Sequence, residues 1–176
     1  MSQLTVIRNS AAEKGLEFLL IGGNAIIAYG VERETADLDF MIRREQLAGW
    51  KALLLNFGYT VLHDGGNFMQ FTPPAAEAWP VDFMIVNEQT FGKMRAASQP
   101  LTLWGEEWRI PSPAHLLALK LHALKHGGTH RQIRDFLDVI ELVQRQRLDL
   151  NSPEIRTLFE QYGTAELHRK VLLACS

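Results

Sequence analysis

Two short apolar segments that carry acidic residues constrain this chain more than any other feature. In residues 37–42, Asp37 and Asp39 alternate with apolar residues, and residues 81–86 are apolar except for Asp82. Because successive side chains of a strand point to opposite faces, Asp37 and Asp39 share one face. If the two strands are neighbours in a sheet, three carboxylates converge.

Strand and helix patterns alternate over the first two thirds of the chain. The patterns predict strands at residues 17–21, 37–42 and 81–86, helices at 24–29 and 45–57, and hairpins over 59–72 and 101–110. From residue 112 the pattern is helical, with breaks at 127–128, 151–153 and 163. We therefore expect an α/β (α+β) fold, with a mixed β-sheet core flanked by helices over residues 1–111 and a C-terminal helical bundle over 112–176.

Composition excludes several classes of protein. The 176 residues hold 18 Lys and Arg against 20 Asp and Glu, so no overall basic field indicates nucleic acid, and any contact with a polyanion must be local. The single cysteine, Cys175, argues against an internal disulfide or a disulfide-linked partner. No apolar run approaches the roughly 20 residues of a membrane span. We expect a cytoplasmic protein with no membrane partner.

The acidic segments favour a divalent metal, and a glycine pair stands ahead of them. Carboxylate oxygens suit Mg²⁺, which commonly binds through one or two carboxylates plus substrate phosphates. Gly22 and Gly23 lie between a predicted strand and a short helix, where backbone N–H groups can approach a phosphate. Two simpler interpretations stay open: an acidic strand end that meets a loop, and an ordinary glycine turn.

The spacing of these motifs resembles a known signature. The glycine pair at 22–23, the Asp-Leu-Asp motif at 37–39 and the later Asp82 are similar to the signature of the nucleotidyltransferase superfamily that includes DNA polymerase beta. Residues 33–39 resemble the small bacterial members related to the abortive-infection toxin AbiEii. The resemblance covers about residues 16–143.

The resemblance implies a nucleotidyltransferase core with an NTP substrate and two Mg²⁺ ions, for which Mn²⁺ is a possible substitute. It implies that Asp37 and Asp39 bind metal, and that Asp82 completes the metal site beside the attacking hydroxyl. The AbiEii relatives carry a lysine three residues before the third acid, whereas this chain has Trp79 there.

A lysine within an apolar stripe is the main signal in the C-terminal third. Lys120 falls among leucines on a predicted helix, and Asp135 lies at the edge of the apolar face of the next helix. One interpretation is an ion pair between Lys120 and Asp135 that joins the two helices. The other is that Lys120 binds the triphosphate. The AbiEii relatives carry a Leu-x-x-x-Lys and a following aspartate in this region, which match Lys120 and Asp135.

Two residues of the loop before residue 37 complete the candidate nucleotide site. Thr35 can hold the loop by a side-chain hydrogen bond, and Arg33 can contact either phosphate or a neighbouring acid.

The leading hypothesis is a two-metal transferase that moves an NMP from an NTP to an acceptor hydroxyl. By resemblance, the acceptor is the end of an RNA such as tRNA, or a protein, in a toxin with a cognate antitoxin; the alternative is a small antibiotic. A glycosyltransferase also uses Asp-x-Asp with a divalent ion, but its nucleotide-binding portion normally precedes that motif. Only 36 residues precede Asp37 here, which argues against this class. A module that binds NTP or RNA without chemistry is the remaining alternative.

Overall fold

The computed structural model describes the backbone of residues 3–127 and 129–175 and the side chains of residues 4–127 and 132–175. The chain forms two compact units. The first, here called the sheet unit, comprises residues 1–24 and 34–110, and the second, the helical unit, comprises 25–33 and 111–176. The boundary expected from sequence lies between residues 111 and 112, whereas this division also assigns residues 25–33 to the helical unit.

The sheet unit contains most of the strands and helices that were predicted ahead of residue 111. Its elements in the described part of the chain are α1 (Gln3–Glu13), β1 (Phe18–Leu20), β2 (Leu38–Arg43), a 3-10 turn (Arg44–Gln46), α3 (Leu47–Asn56), β3 (Thr60–Asp64), β4 (Phe68–Thr72), β5 (Val81–Val86), α4 (Glu88–Ala96), β6 (Gln99–Leu103) and β7 (Glu106–Ile110). A further helix, α2 (Gly22–Ala28), begins in the sheet unit and continues into the helical unit.

Five strands form a mixed sheet in the order β1-β2-β5-β4-β3. Strands β2 and β5 are parallel neighbours at its centre, and the other pairs are antiparallel. The hairpin of β6 and β7 forms a separate two-stranded sheet. The fold is therefore the mixed α/β fold that the sequence predicts.

Aromatic packing explains why the two central strands stay together. Phe40 of β2 and Phe83 of β5 are register partners with stacked rings, whose centroids are 6.4 Å apart. The ring of Trp50, from α3, meets Phe83 edge to face at 5.5 Å. All three side chains are buried, so their apolar area contributes to the hydrophobic stabilisation of this unit.

The helical unit is built from helices, several of which begin at a hydrogen-bonded Ser or Thr cap. They are α5 (Pro113–His126), α6 (Thr129–Arg145), α7 (Pro153–Tyr162) and α8 (Ala165–Ala174). The Ser112 hydroxyl accepts a hydrogen bond from the backbone N–H of His115, and Pro113 occupies the first turn, as predicted. The predicted break at 127–128 falls between α5 and α6, although residue 128 lies outside the described residues.

Two helices were not predicted from the sequence. In α1, Ile7 and Ala11 lie four residues apart and are buried, but polar residues between them mask this period. In α4, Asn87 caps the first turn by accepting a hydrogen bond from the Thr90 N–H at 2.8 Å, and a mid-helix glycine weakens the pattern. Within the described residues, every helix is too short or too polar to cross a bilayer.

Candidate active site

The parallel pairing of β2 and β5 brings the acidic segments together. Asp39 and Asp82 are direct register partners. The hydrogen bonding between the two strands begins ahead of this pair, where the Leu38 N–H donates to the Pro80 carbonyl at 2.9 Å. Asp37 directly precedes β2 and therefore lies at the same end of the pair. One carboxylate oxygen from each of the three aspartates lies within 4.8 Å of the other two. We call this group the triad.

Neutral donors orient two of the three carboxylates. The Thr35 hydroxyl donates to Oδ1 of Asp37 at 2.7 Å. The amide of Gln70, the register partner of Asp82 on β4, donates to Oδ2 of Asp82 at 3.0 Å. Asp82 is only 4% exposed. These two donors hold the carboxylates in place without cancelling their charge, since neither a hydroxyl nor an amide is ionised.

Gly22 is needed at its position because Asp39 lies against it. A Cβ on Gly22 would stand 1.9 Å from Oδ2 of Asp39, and the φ of +64° is one that side-chain-bearing residues rarely adopt. The sequence interpretation of this glycine was a close approach of phosphate to the backbone. The contact with Asp39 is a second reason for glycine, and the phosphate role of Gly22 and Gly23 stays a prediction.

Asn24 is a site residue that the sequence analysis missed. Its side chain is fully buried, and its amide donates to the backbone carbonyl of Asp37 at 2.7 Å. Its Oδ1 has no hydrogen-bond partner among the described residues. The one indication of Asn24 in the sequence is its position directly after the glycine pair. Asn24 thus ties the start of α2 to the loop that carries the first aspartate of the triad.

The triad fits a hard divalent cation. Three carboxylates at this separation repel one another, and a cation between them would relieve that repulsion. Their donor atoms are all oxygen, which suits Mg²⁺ or Mn²⁺ better than metals that prefer nitrogen or sulfur.

The remaining predicted site residues lie in the helical unit and form ion pairs. Nζ of Lys120 lies 2.8 Å from Oδ1 of Asp135 and 2.6 Å from Oδ2 of Asp138. Nη1 of Arg33 lies 2.5 Å from the same oxygen of Asp138. Side-chain exposure is 13% or less for all four residues. We call this group the ion-pair cluster.

The ion-pair cluster contains the helix-joining contact that was one of the two interpretations of Lys120. It also adds Asp138, which the sequence analysis missed although it lies three residues after Asp135, on the same face of α6. The nucleotide-binding role of Lys120, Arg33 and Asp135 stays a prediction. The predicted site residues therefore fall into two sets, one in each unit.

One family model covers almost the whole chain. Residues 2–176 match the model of a family described as uncharacterised nucleotidyltransferase. None of the curated proteins matches the sequence.

Solved structures share the fold at low sequence identity. The antibiotic-resistance factor ANT(2'')-Ia has a TM-score of 0.67 at 15% identity, with 97% of this chain and 92% of that chain covered. An antigenic nucleotidyltransferase-like protein from Paracoccidioides brasiliensis has a TM-score of 0.59 at 17% identity, covering 97% and 89%. The lincosamide antibiotic adenylyltransferase LnuA, bound to lincomycin, has a TM-score of 0.58 at 17% identity, covering 79% and 93%. These likenesses show a nucleotidyltransferase fold.

Proposed function

Because the chain belongs to this family of nucleotidyltransferases, we propose that it is a Mg²⁺-dependent enzyme that transfers an NMP from an NTP to an acceptor hydroxyl. The observation that carries the proposal is the convergence of three carboxylate oxygens within 4.8 Å on two parallel strands. An NTP substrate agrees with the cytoplasmic location expected from the sequence.

In the proposed reaction, the acceptor oxygen bonds to the α-phosphorus and the bond from that phosphorus to pyrophosphate breaks. Asp37 and Asp39 would hold two Mg²⁺ ions, with Asp82 as the third ligand. When bound, such ions neutralise charge on the attacking and leaving oxygens. Asp82 is the proposed acceptor of the hydroxyl proton, and Thr35 keeps the Asp37 carboxylate oriented through its 2.7 Å hydrogen bond.

The triphosphate is proposed to bind backbone N–H groups of Gly22 and Gly23 and the cations of Lys120 and Arg33. Asp135 and Asp138 would then restrain those two cations, as the distances of 2.5 to 2.8 Å indicate. Restrained cations lose less side-chain entropy when they bind an anion.

A radiolabel experiment tests the transfer. The purified protein is incubated with each α-³²P-labelled NTP, Mg²⁺ and total cellular RNA, beside the variants Asp37→Asn, Asp39→Asn and Asp82→Asn. We expect label on an acceptor, reduced in each variant by about 1,000-fold, which corresponds to about 4 kcal/mol of activation free energy.

The matched control is Asp64→Asn. Asp64 is an exposed aspartate on the edge strand β3, and its replacement should leave transfer unchanged. Full transfer by Asp37→Asn or Asp39→Asn would refute the metal assignment. Binding of NTP and Mg²⁺ without turnover on any acceptor would favour the module without chemistry.

Two acceptor classes follow from different observations. The resemblance of residues 33–39 to AbiEii relatives favours the end of an RNA such as tRNA, or a protein, and with it a toxin that a cognate antitoxin silences. The fold likeness to ANT(2'')-Ia and to LnuA favours a small antibiotic hydroxyl instead. Growth arrest on expression, absent from the Asp37→Asn variant, would support the first class. Increased drug tolerance without arrest would support the second.

A further inference from the structure

A cavity of about 260 Å³ in the sheet unit is separate from the triad. None of the three aspartates lines the cavity. It reaches β2 only at Leu38, whose side chain points to the opposite face of the strand from Asp37 and Asp39. The volume is just below the roughly 300 Å³ at which pockets for drug-sized ligands begin, so a ligand here would be small.

Aromatic side chains form much of the wall of this cavity. Trp79 and Trp104 meet edge to face, with ring centroids 5.4 Å apart. The Tyr59 hydroxyl donates to the Trp79 carbonyl at 3.0 Å, which fixes the third ring. Burial raises the pKa of Tyr59, so the phenol is neutral at pH 7. The aromatic part of the wall is therefore uncharged at pH 7.

Trp104 is an unusual residue for its place. It stands at the turn between β6 and β7 with a φ of +55°, in the left-handed region that bulky residues avoid. Its side chain is also 48% exposed. The indole also meets the buried Trp108 edge to face at 6.0 Å, so core packing explains part of the ring, but a smaller or more flexible residue would satisfy the turn at lower cost.

The charged residue in the cavity lining indicates which charge a ligand would carry. Among the described residues that line the cavity, Glu77 alone is charged, and Glu77 is exposed at the surface. An anion would meet this carboxylate and the negative faces of the rings. A cation would be attracted by both the carboxylate and the aromatic rings.

We propose that this cavity binds a small organic cation whose charge is carried by an alkylated ammonium group. The ammonium would lie against the faces of Trp79 and Trp104 beside the carboxylate of Glu77, and its alkyl groups would contact the apolar wall at Leu38. This site does not depend on the nucleotidyl transfer proposed for the triad.

NMR titration with choline tests the proposal. In protein labelled with ¹⁵N at tryptophan, choline should shift the indole signals of Trp79 and Trp104. The Trp50 indole is buried and donates to the Glu17 carbonyl, so its signal is an internal control. The uncharged isostere 3,3-dimethylbutan-1-ol, added at equal concentration and ionic strength, should bind about fivefold more weakly.

Two variants separate the contributions of ring and charge. Trp104→Ala should weaken choline binding about fivefold, and its exposure makes misfolding a minor concern. Glu77→Gln should weaken choline but not the isostere, whereas Glu107→Gln, an exposed carboxylate on β7, should change neither. Equal binding of choline and isostere, or no shift with 50 mM choline, would overturn the proposal. So would unchanged choline binding by Glu77→Gln.

Discussion

The triad of the sheet unit and the ion-pair cluster of the helical unit both concentrate aspartates, but with different neighbours. In the ion-pair cluster, Asp135 and Asp138 are met by the cations of Lys120 and Arg33. In the triad, the hydrogen bonds described to Asp37 and Asp82 come from a hydroxyl and an amide. Removal of one member of the ion-pair cluster would leave a buried charge uncompensated, whereas the triad brings like charges together that a bound cation would offset.

The largest effect on stability should come from Asp138→Asn. This change leaves Arg33 and Lys120 with too little negative charge in a site where Asp138 is 3% exposed. We expect the free energy of unfolding to fall by about 3 kcal/mol, because removal of one partner leaves a buried charge without its counter-charge. Urea unfolding monitored by circular dichroism measures it.

A double-mutant thermodynamic cycle measures the coupling energy between Lys120 and Asp138. Lys120→Met combined with Asp138→Asn should cost less than the sum of the two single changes, since the double variant removes charges of both signs. Additive costs would mean that the 2.6 Å contact between Lys120 and Asp138 contributes nothing to coupling.

The next largest effect should come from Gly22→Ala. The new Cβ would collide with the carboxylate of Asp39 and would also occupy a positive φ, for a combined cost of about 2 kcal/mol. Displacement of Asp39 should also weaken binding of Mn²⁺, measured by calorimetry.

Gly15→Ala is the matched control for Gly22→Ala. Gly15 has a φ of +65°, nearly equal to that of Gly22, but nothing lies within 4 Å of a Cβ built there. This variant should show only the strain of the left-handed conformation, about 1 kcal/mol, and unchanged Mn²⁺ binding. Equal losses in both variants would show that contact with Asp39 is unimportant.

Asp37→Asn should have the opposite sign to Asp138→Asn. In the presence of a chelator, removal of one like charge from the triad should raise the free energy of unfolding by about 1 kcal/mol. The amide oxygen of asparagine can still accept the hydrogen bond from Thr35. Thermal unfolding in EDTA measures the difference, and addition of Mg²⁺ should stabilise the wild type alone. A loss of stability in EDTA would mean that repulsion within the triad does not destabilise the fold.

The smallest effect should come from Glu141→Gln. Glu141 lies on α6 with Asp138 and pairs with Arg145 at 3.1 Å, but both side chains are more than 40% exposed. Because solvent screens such a pair, its removal should cost less than about 0.5 kcal/mol. A cost comparable to that of Asp138→Asn would mean that burial does not distinguish the two ion pairs.

Part of the fold was predictable because it depends on local periodicity. The short apolar run of residues 81–86 predicts β5 with the bounds that the structure has, and Ser112 with Pro113 predicts the start of α5. Helix α1 was not predictable with the same rules, because its buried side chains are few and separated by polar ones.

The candidate site was predictable only for residues that carry a motif. Asp37, Asp39 and Asp82 stand out by their spacing, whereas Gln70 and Asn24 are ordinary polar residues in the sequence. Gln70 contacts Asp82 because β4 pairs with β5. The spacing of residues along a single sequence does not show which strands pair or in which register.

The mixed α/β class, the strands that bear the aspartates and the glycine turn ahead of them follow from the sequence, because side-chain periodicity and turn chemistry are local properties. The packing of distant segments brings Lys120 and Arg33 to Asp138, and Asp39 to Asp82. Lys120 and Asp138 belong to different helices, and Asp39 and Asp82 belong to different strands and are 43 residues apart in the sequence. The charge that a carboxylate meets depends on which segments pack against it, and that packing is a property of the whole folded chain.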